Sequence, residues 1–267
     1  MIKKLLTVLF CMMMVLSLSA CSKKEETASD LIDQIKERGY ITIATEGNWS
    51  PYTYHDEKTN ELVGFDVELG KYIADALGVE ARYEETDWDS ILAGVESGRY
   101  DLAINGVTYS DERAKSYNFS NPYLYDQTVL IVLEDNEDIK SFDDLNGKIT
   151  TNSTGSSYAE MAIELGAEVK YVQTFGDTIE LLKRGDAQAT INARVTYEDY
   201  MRAHPDGGLK IVDSTDPEKT VIAAQKADST VSLIEFINTT LDGLRADGTL
   251  KELSLKYFGL DATEPVE

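Results

Sequence analysis

The feature that most constrains the fold is an alternation of short apolar runs with amphipathic stretches, which runs once from Ile41 to Ile104 and then restarts at Lys148. Ile41-Thr42-Ile43-Ala44 predicts a strand bounded by Gly47 and Pro51. Phe65, Leu69, Tyr72, Ile73, Ala76 and Leu77 recur at helical spacing, with Asp66 as the expected N-cap and Gly78 as the stop. Asp89 to Ser97 gives a shorter helix through Ile91, Leu92 and Val95, ended by Gly98, and Asp101-Leu102-Ala103-Ile104 a further strand. Such alternation argues for βαβ units and an α/β class.

Thr128 to Leu133 is a continuous β-branched and aliphatic run, which predicts a buried central strand. The grammar then repeats. Lys148 to Thr151 reads as a strand, and Tyr158, Met161, Ala162 and Leu165 as a helix face closed by Gly166. Val169 to Val172 reads as another strand, and Asp177 with Glu180 as a capping box opening a helix that Gly185 ends. Leu233, Ile234, Ile237, Leu241 and Leu244 form a late helix, and Leu250, Leu253 and Tyr257 another. The expectation is two α/β lobes with a ligand cleft between them, because ligands in open α/β sheets bind where strand ends face a crevice.

The N-terminus places the chain outside the cytoplasm. Lys3-Lys4 precede an apolar stretch from Leu5 to Ser17, too short for a comfortable membrane span, and Leu18-Ser19-Ala20-Cys21 resembles a bacterial lipobox. Cleavage before Cys21 would leave a thiol for a diacylglycerol thioether and an amine for acylation, and several chains are what stable anchoring needs. The alternative is an ordinary signal peptide with a chance cysteine. Ser22 to Ser29 lacks large apolar residues and reads as a flexible tether. The expected divisions are a signal peptide over 1–20, a lipid-anchored linker over 21–29, lobe I over 30–127 and 219–262, lobe II over 128–218, and a tail over 263–267.

Charge and composition remove several classes of function. Losing residues 1–20 removes two lysines and no acids, so the formal charge goes from −23 to −25. That excludes a basic nucleic-acid footprint and general adhesion to anionic lipid, leaving Cys21 as the membrane attachment. Cys11 lies in the removed segment, so with Cys21 modified no cysteine remains for a disulfide or a thiolate metal site. His55 and His204 stand far apart, which argues against zinc. Gly147-Lys148 is followed by Ile149 where a phosphate-binding loop needs Ser or Thr, and no Gly-x-Ser-x-Gly elbow is present. No cofactor is implied, and about 240 residues suffice to build a core without one.

Five blocks carry a resemblance to a known family. Thr45-Glu46-Gly47-Asn48-Trp49-Ser50-Pro51-Tyr52, Val63-Gly64-Phe65-Asp66-Val67-Glu68-Leu69, Ser97-Gly98-Arg99-Tyr100-Asp101, Asp111-Glu112-Arg113 and Asn118-Phe119-Ser120-Asn121-Pro122-Tyr123 occur in this order. Together they resemble the polar amino-acid-binding proteins of ABC importers. The resemblance implies a type II periplasmic-binding-protein-like fold of two lobes, crossed twice by the chain, and no enzymatic activity. It also implies a permease and an ATPase as partners, and a monomer that captures its ligand at the outer face of the membrane.

By the same resemblance Arg113 grips the ligand α-carboxylate. A guanidinium is always charged and presents a planar donor fork matched to that group. A surface arginine paired with Asp111 or Glu112 is the plain alternative. Thr108 and the carbonyl of Gly106 match positions that meet the ligand's carboxylate and ammonium ends, and Gly155 with Ser156 matches a second carboxylate clamp. A glycine-bearing turn before a helix offers free N–H groups to an anion, although such turns also cap helices with no ligand involved. Trp49 matches an aromatic cover for the ligand side chain and Trp88 an apolar wall, with simple core packing as the alternative for each. Glu46 and Asp89 are placed to face the ligand's distal end, or to serve as caps or solvated acids.

One departure stands out. Many family members carry an aspartate for the ligand ammonium where this chain has Ala193, within Ile191-Asn192-Ala193-Arg194. An unpaired buried ammonium costs several kcal/mol, so another acceptor is required, with Asn192 and Glu46 as candidates. Within the family, Glu46, Trp88-Asp89 and Tyr197-Glu198-Asp199-Tyr200 look most like cystine or cysteine binders. Two other functional classes remain at this stage: a sensing module for a signalling partner, and a dehydratase of the same fold acting on prephenate-like acids, which would need a pocket carboxylic acid such as Glu46 as general acid.

Overall fold

The computed structural model describes residues 30–265. The expected signal peptide, the expected tether and Cys21 lie outside the described residues. In chain order the helices are α1 (Leu31–Arg38), α2 (Phe65–Leu77), α3 (Trp88–Glu96), α4 (Ser157–Glu164), α5 (Phe175–Lys183), α6 (Arg194–Ala203), α7 (Val231–Ala246) and α8 (Thr249–Phe258). The strands are β1 (Tyr40–Thr45), β2 (Asn48–Trp49), β3 (Thr53–His55), β4 (Leu62–Val63), β5 (Glu80–Glu85), β6 (Leu102–Ala103), β7 (Tyr117–Phe119), β8 (Leu124–Asp126), β9 (Thr128–Leu133), β10 (Ile149–Asn152), β11 (Glu168–Tyr171), β12 (Thr190–Ala193), β13 (Leu209–Ser214), β14 (Glu218–Thr220) and β15 (Ala223–Gln225).

The first body is a five-stranded sheet in the order β5-β1-β6-β15-β7. Strand β1 pairs in parallel with β5 and β6, and β15 runs antiparallel to β6 and β7. Alternate residues of a strand face opposite sides. Ile41 and Ile43 therefore enter a core with Phe65, Leu69 and Ile73 of α2 and Leu233, Ile237 and Leu241 of α7, while Ala44 joins Trp88, Ile91 and Val95 of α3 on the other face. With helices on both faces, the inner strands have no side left for solvent.

The second body is built around β9, the middle strand of β12-β9-β13, with antiparallel partners on both sides. The run 128–133 is central, as its unbroken apolar character requires. Leu130 and Val132 pack with Ala162 of α4 and Ile191, whereas Val129 and Ile131 pack with Ile179 and Leu182 of α5. The parallel pair β10-β11 attaches through a bridge between Thr150 and Ala189.

Two connections join the bodies. The chain leaves the first sheet through β8 and returns through β14, and these strands pair antiparallel, Glu218 opposite Asp126 and Thr220 opposite Leu124. A short ribbon at the base of the cleft is thus shared by both.

Two expected caps are corrected. Gly64, not Asp66, is the N-cap of α2; Asp66 lies in the first turn, fully buried, and its carboxylate accepts the Gly106 N–H at 2.6 Å. Helix α5 opens at Thr174, whose hydroxyl accepts the Asp177 N–H at 3.1 Å and donates to the Asp177 carboxylate at 2.8 Å. The cap is therefore Thr174, three residues before the expected one, because a hydroxyl at the extended N-cap reaches the third N–H of the helix.

Candidate functional site

A cleft open to solvent lies between the two bodies. The first body contributes Glu46, Asn48, Trp49, Trp88, Gly106 and Thr108, and the second contributes Asn152, Ser156, Tyr158, Phe175, Thr178 and Asn192 among others. Of the residues the sequence pointed to, seven meet here: Glu46, Trp49, Trp88, Gly106, Thr108, Ser156 and Asn192. Arg113 and Gly155 stand just behind the wall. Asp89 is exposed on the first turn of α3 and does not line the cleft.

The wall on the first body is held from below by Asn105, which sequence reasoning missed. Fully buried, its carbonyl oxygen accepts from the Thr45 hydroxyl at 2.9 Å, the Glu46 N–H at 2.9 Å and the Thr53 hydroxyl at 3.2 Å. Its amide donates to Glu46 Oε2 at 2.8 Å. Burial pushes the Glu46 carboxyl up to about 7; the Asn105 bond opposes this and the nearby Asp87 charge adds to it. Glu46 is thus an acid on the cleft wall with no ion-pair partner among the described residues.

Gly106 occupies the left-handed region at φ +58, and a Cβ there would stand 2.6 Å from the Trp49 ring. Only glycine lets this backbone reach the cleft beneath that ring. Asp66 fixes its N–H, and Trp49 stacks on Tyr52 with centroids 4.5 Å apart. Asp66 is itself pushed up to about 7, by complete burial.

Arg113 donates through Nη1 to the Thr108 carbonyl at 3.0 Å, and its guanidinium carbon lies 5.6 Å from the centroid of the Trp88 ring. Burial lowers its pKa, with Glu160 acting in the opposite direction; a guanidinium remains charged regardless. Neither Asp111 nor Glu112 forms an ion pair with it: Asp111 accepts from Tyr109 and Glu112 pairs with Lys115.

On the second body the Ser156 hydroxyl caps α4, accepting the Ala159 N–H at 3.1 Å and donating to the Ser153 carbonyl at 2.8 Å. Gly155, at φ +70, offers its carbonyl to the Trp88 indole N–H at 3.0 Å, which joins the two bodies directly. Asn192 lines the cleft while its side-chain oxygen accepts the N–H of Ala193 at 2.8 Å. Ala193 is buried and contributes no polar side-chain atom.

An open cleft between two α/β bodies, walled by aromatic rings and a few convergent polar groups, on a chain that crosses between the bodies twice, defines a type II periplasmic binding protein. The model of the bacterial extracellular solute-binding proteins, family 3, matches residues 41–260, and the chain belongs to that family. It is 37% identical over 238 residues to a probable amino-acid ABC transporter-binding protein of Haemophilus influenzae, covering 89% of this chain and 91% of that one. It is 34% identical to the L-cystine-binding protein TcyA of Bacillus subtilis over 98% of this chain and 100% of that one. Among solved structures, the amino acid ABC transporter substrate-binding protein AbpA of Streptococcus pneumoniae, bound to L-arginine, superposes with a TM-score of 0.77 at 30% identity, covering 87% of this chain and 99% of that one.

Proposed function

We propose that the chain is a lipid-anchored receptor on the extracytoplasmic face of the bacterial membrane, binding a polar amino acid, cystine or cysteine in the first instance, and delivering it to an ABC permease and ATPase. The observation that carries this reading is a guanidinium held against Thr108 just behind the cleft wall, together with a half-buried acid on that wall, Glu46, that has no ion-pair partner among the described residues. A zwitterion needs both signs of partner, and the aromatic faces of Trp49 and Trp88 exclude water from the contacts between them. The near full-length likeness to an L-cystine-binding protein favours cystine over other polar amino acids.

In this reading residues 30–127 and 219–262 form one lobe and 128–218 the other. The α-carboxylate docks first at Arg113 and Thr108. Closure adds the Gly155–Ser156 turn from the second lobe, and Gly106, Glu46 and Asn192 complete the polar set. A ligand shifts such an equilibrium only through its extra affinity for the closed form, so contacts divided between lobes are what couple binding to closure. No covalent step is involved, and the protein acts as a monomer tethered through Cys21.

The test is isothermal titration of residues 30 to 267, stripped of carried ligand by unfolding and refolding, against cystine, cysteine and the other polar amino acids. Micromolar or tighter binding of one of them is expected. No heat with any amino acid would overturn the assignment.

A further inference from the structure

At the base of the cleft a second, smaller chamber opens between the two connections. It shares Gly106, Thr108 and Tyr158 with the main cleft, so the two are continuous. Its own wall carries Asp126 and Glu218, which are direct partners across the β8–β14 ribbon. Residues opposite one another in an antiparallel pair bring their side chains to one face, and like charges so placed are destabilising.

No lysine, arginine or histidine lines the chamber. Two neutral donors are already committed to these acids, the Tyr52 hydroxyl to Asp126 at 3.0 Å and the Thr128 hydroxyl to Glu218. Burial pushes the Asp126 carboxyl up to about 6, although the Gln127 N–H and Tyr52 both favour its charged form. Tyr158 adds an independent observation. The residue is half-buried and lines the chamber, its hydroxyl lies within reach of the charges of Asp126, Glu218, Arg113 and Glu46, and it makes no hydrogen bond among the described residues. The structure therefore holds two facing acids and a phenol with no protein hydrogen-bond partner among the described residues around a space that opens onto the binding cleft. Ala193 stands opposite Thr128 across the β12–β9 ladder, so β12 supplies no acid at this level.

We propose that the chamber formed by Asp126, Glu218 and the Tyr158 hydroxyl holds the α-ammonium group of the ligand. This rests on the amino-acid reading of the cleft and assigns the ammonium nearest Arg113 to the ribbon joining the lobes, leaving Glu46 as the negative partner of the second ammonium at the far end of a ligand such as cystine. A primary ammonium brings three donors, matching two carboxylates and one phenol oxygen. It also removes the like-charge strain of the empty chamber. Because β8 and β14 are the two crossings between lobes, a cation bound by one acid from each ties ligand binding to the geometry of the joint.

The test compares wild type with Glu218→Gln and Asp126→Asn by titration calorimetry against L-cystine and against 3,3′-dithiodipropionate, its analogue lacking both ammonium groups, together with thermal unfolding of the ligand-free proteins. Glu218→Gln is expected to weaken L-cystine binding at least tenfold, to leave binding of the analogue unchanged, and to leave the ligand-free Tm equal or higher, since one of two opposed charges is gone. A purely structural role would lower the Tm and weaken both ligands together, and either that result or unchanged L-cystine binding overturns the proposal. Asp126→Asn reads the same chamber from the other strand should Glu218→Gln fail to fold. If wild type binds another amino acid instead, that amino acid and its desamino acid replace the pair. If wild type binds none, the amino-acid reading itself has failed, and the chamber assignment falls with it for that separate reason. Tight binding of Mg²⁺ or Ca²⁺ that excludes L-cystine would identify the chamber as a metal site and overturn the ammonium assignment.

Discussion

The indole N–H of Trp88 donates to the carbonyl of Gly155 at 3.0 Å, so the first residue of α3 in one body is bonded to the turn that opens α4 in the other. The same ring lies against Arg113. One side chain therefore touches both the expected carboxylate anchor and the turn proposed to close over it. Replacing Trp88 with Phe keeps an aromatic face for Arg113 and removes only the donor. A net hydrogen bond is worth roughly 0.5 to 1.5 kcal/mol, so ligand affinity should fall by a few-fold. Small-angle scattering of the ligand-free variant should show a larger radius of gyration than wild type, and an unchanged radius with unchanged affinity would remove this contact from the closing mechanism.

Arg113→Ala should weaken amino-acid binding by at least tenfold, because losing one partner of a desolvated charge pair costs roughly 2 to 5 kcal/mol. Near-normal affinity in calorimetry would count against the carboxylate assignment. Arg113→Lys should recover only part of the loss, since a lysine ammonium lacks the planar fork.

Three buried acids give a pH dependence of stability whose sign is fixed. Glu46 and Asp66 are pushed up to about 7 and Asp126 to about 6, each chiefly by burial. Between the ordinary carboxylate pKa of about 4 and these values the folded state binds more protons than the unfolded chain, so stability falls as pH rises through that window. Exposed Asp56, Asp144 and Asp247 act oppositely: backbone N–H groups hold them below the ordinary value, and their contribution is lost on further acidification. The ligand-free Tm should therefore be higher near pH 5 than at pH 8, and Glu46→Gln should flatten the difference. A Tm that rises steadily from pH 5 to pH 8 would contradict the burial of these groups.

Gly106→Ala should disrupt the cleft without touching ligand directly. The new Cβ would meet the Trp49 ring at 2.6 Å and sit on a left-handed backbone, each of which is destabilising. A Tm loss of several degrees with weakened binding is expected; an unperturbed Tm would mean that Trp49 is free to move aside.

Cys21→Ala should move the full-length protein from the membrane fraction to the soluble, exported fraction. If the variant stays with the membrane, the lipid-anchor reading is wrong.

How much was legible in the sequence differs by element. Helix α2, the central strand β9 and the late helices α7 and α8 could be read directly, because each is long enough for one buried face to impose a period on the residue types. The strands β2, β3 and β4 span only two or three residues each and carry no such period. Helix α6 was missed as a helix because its ten residues fully bury only Val195 and Thr196, and the stripe that packs on the second core, Tyr197, Tyr200 and Met201, is half-buried and interleaved with charged residues.

At the site, residue types with strong chemistry were visible by themselves. Glycine at 106 and tryptophan at 49 and 88 sit where backbone approach and ring burial demand them, and both rings border the cleft. Asp66 was legible only as a helix-start acid. Its position in the first turn of α2 fits that reading, but its bond to Gly106 depends on a loop forty positions away. Asn105 gave no local signal, since an asparagine within a β-to-loop segment is ordinary and only the fold brings Thr45, Glu46 and Thr53 around it. The sequence by itself determined which segments bury a face and which side chains carry charge, because burial periodicity and charge are local properties. Only the tertiary structure decided that Asp126 and Glu218 face each other, because that meeting arises from the chain crossing between the bodies twice and pairing its two crossings, a relation no local pattern records.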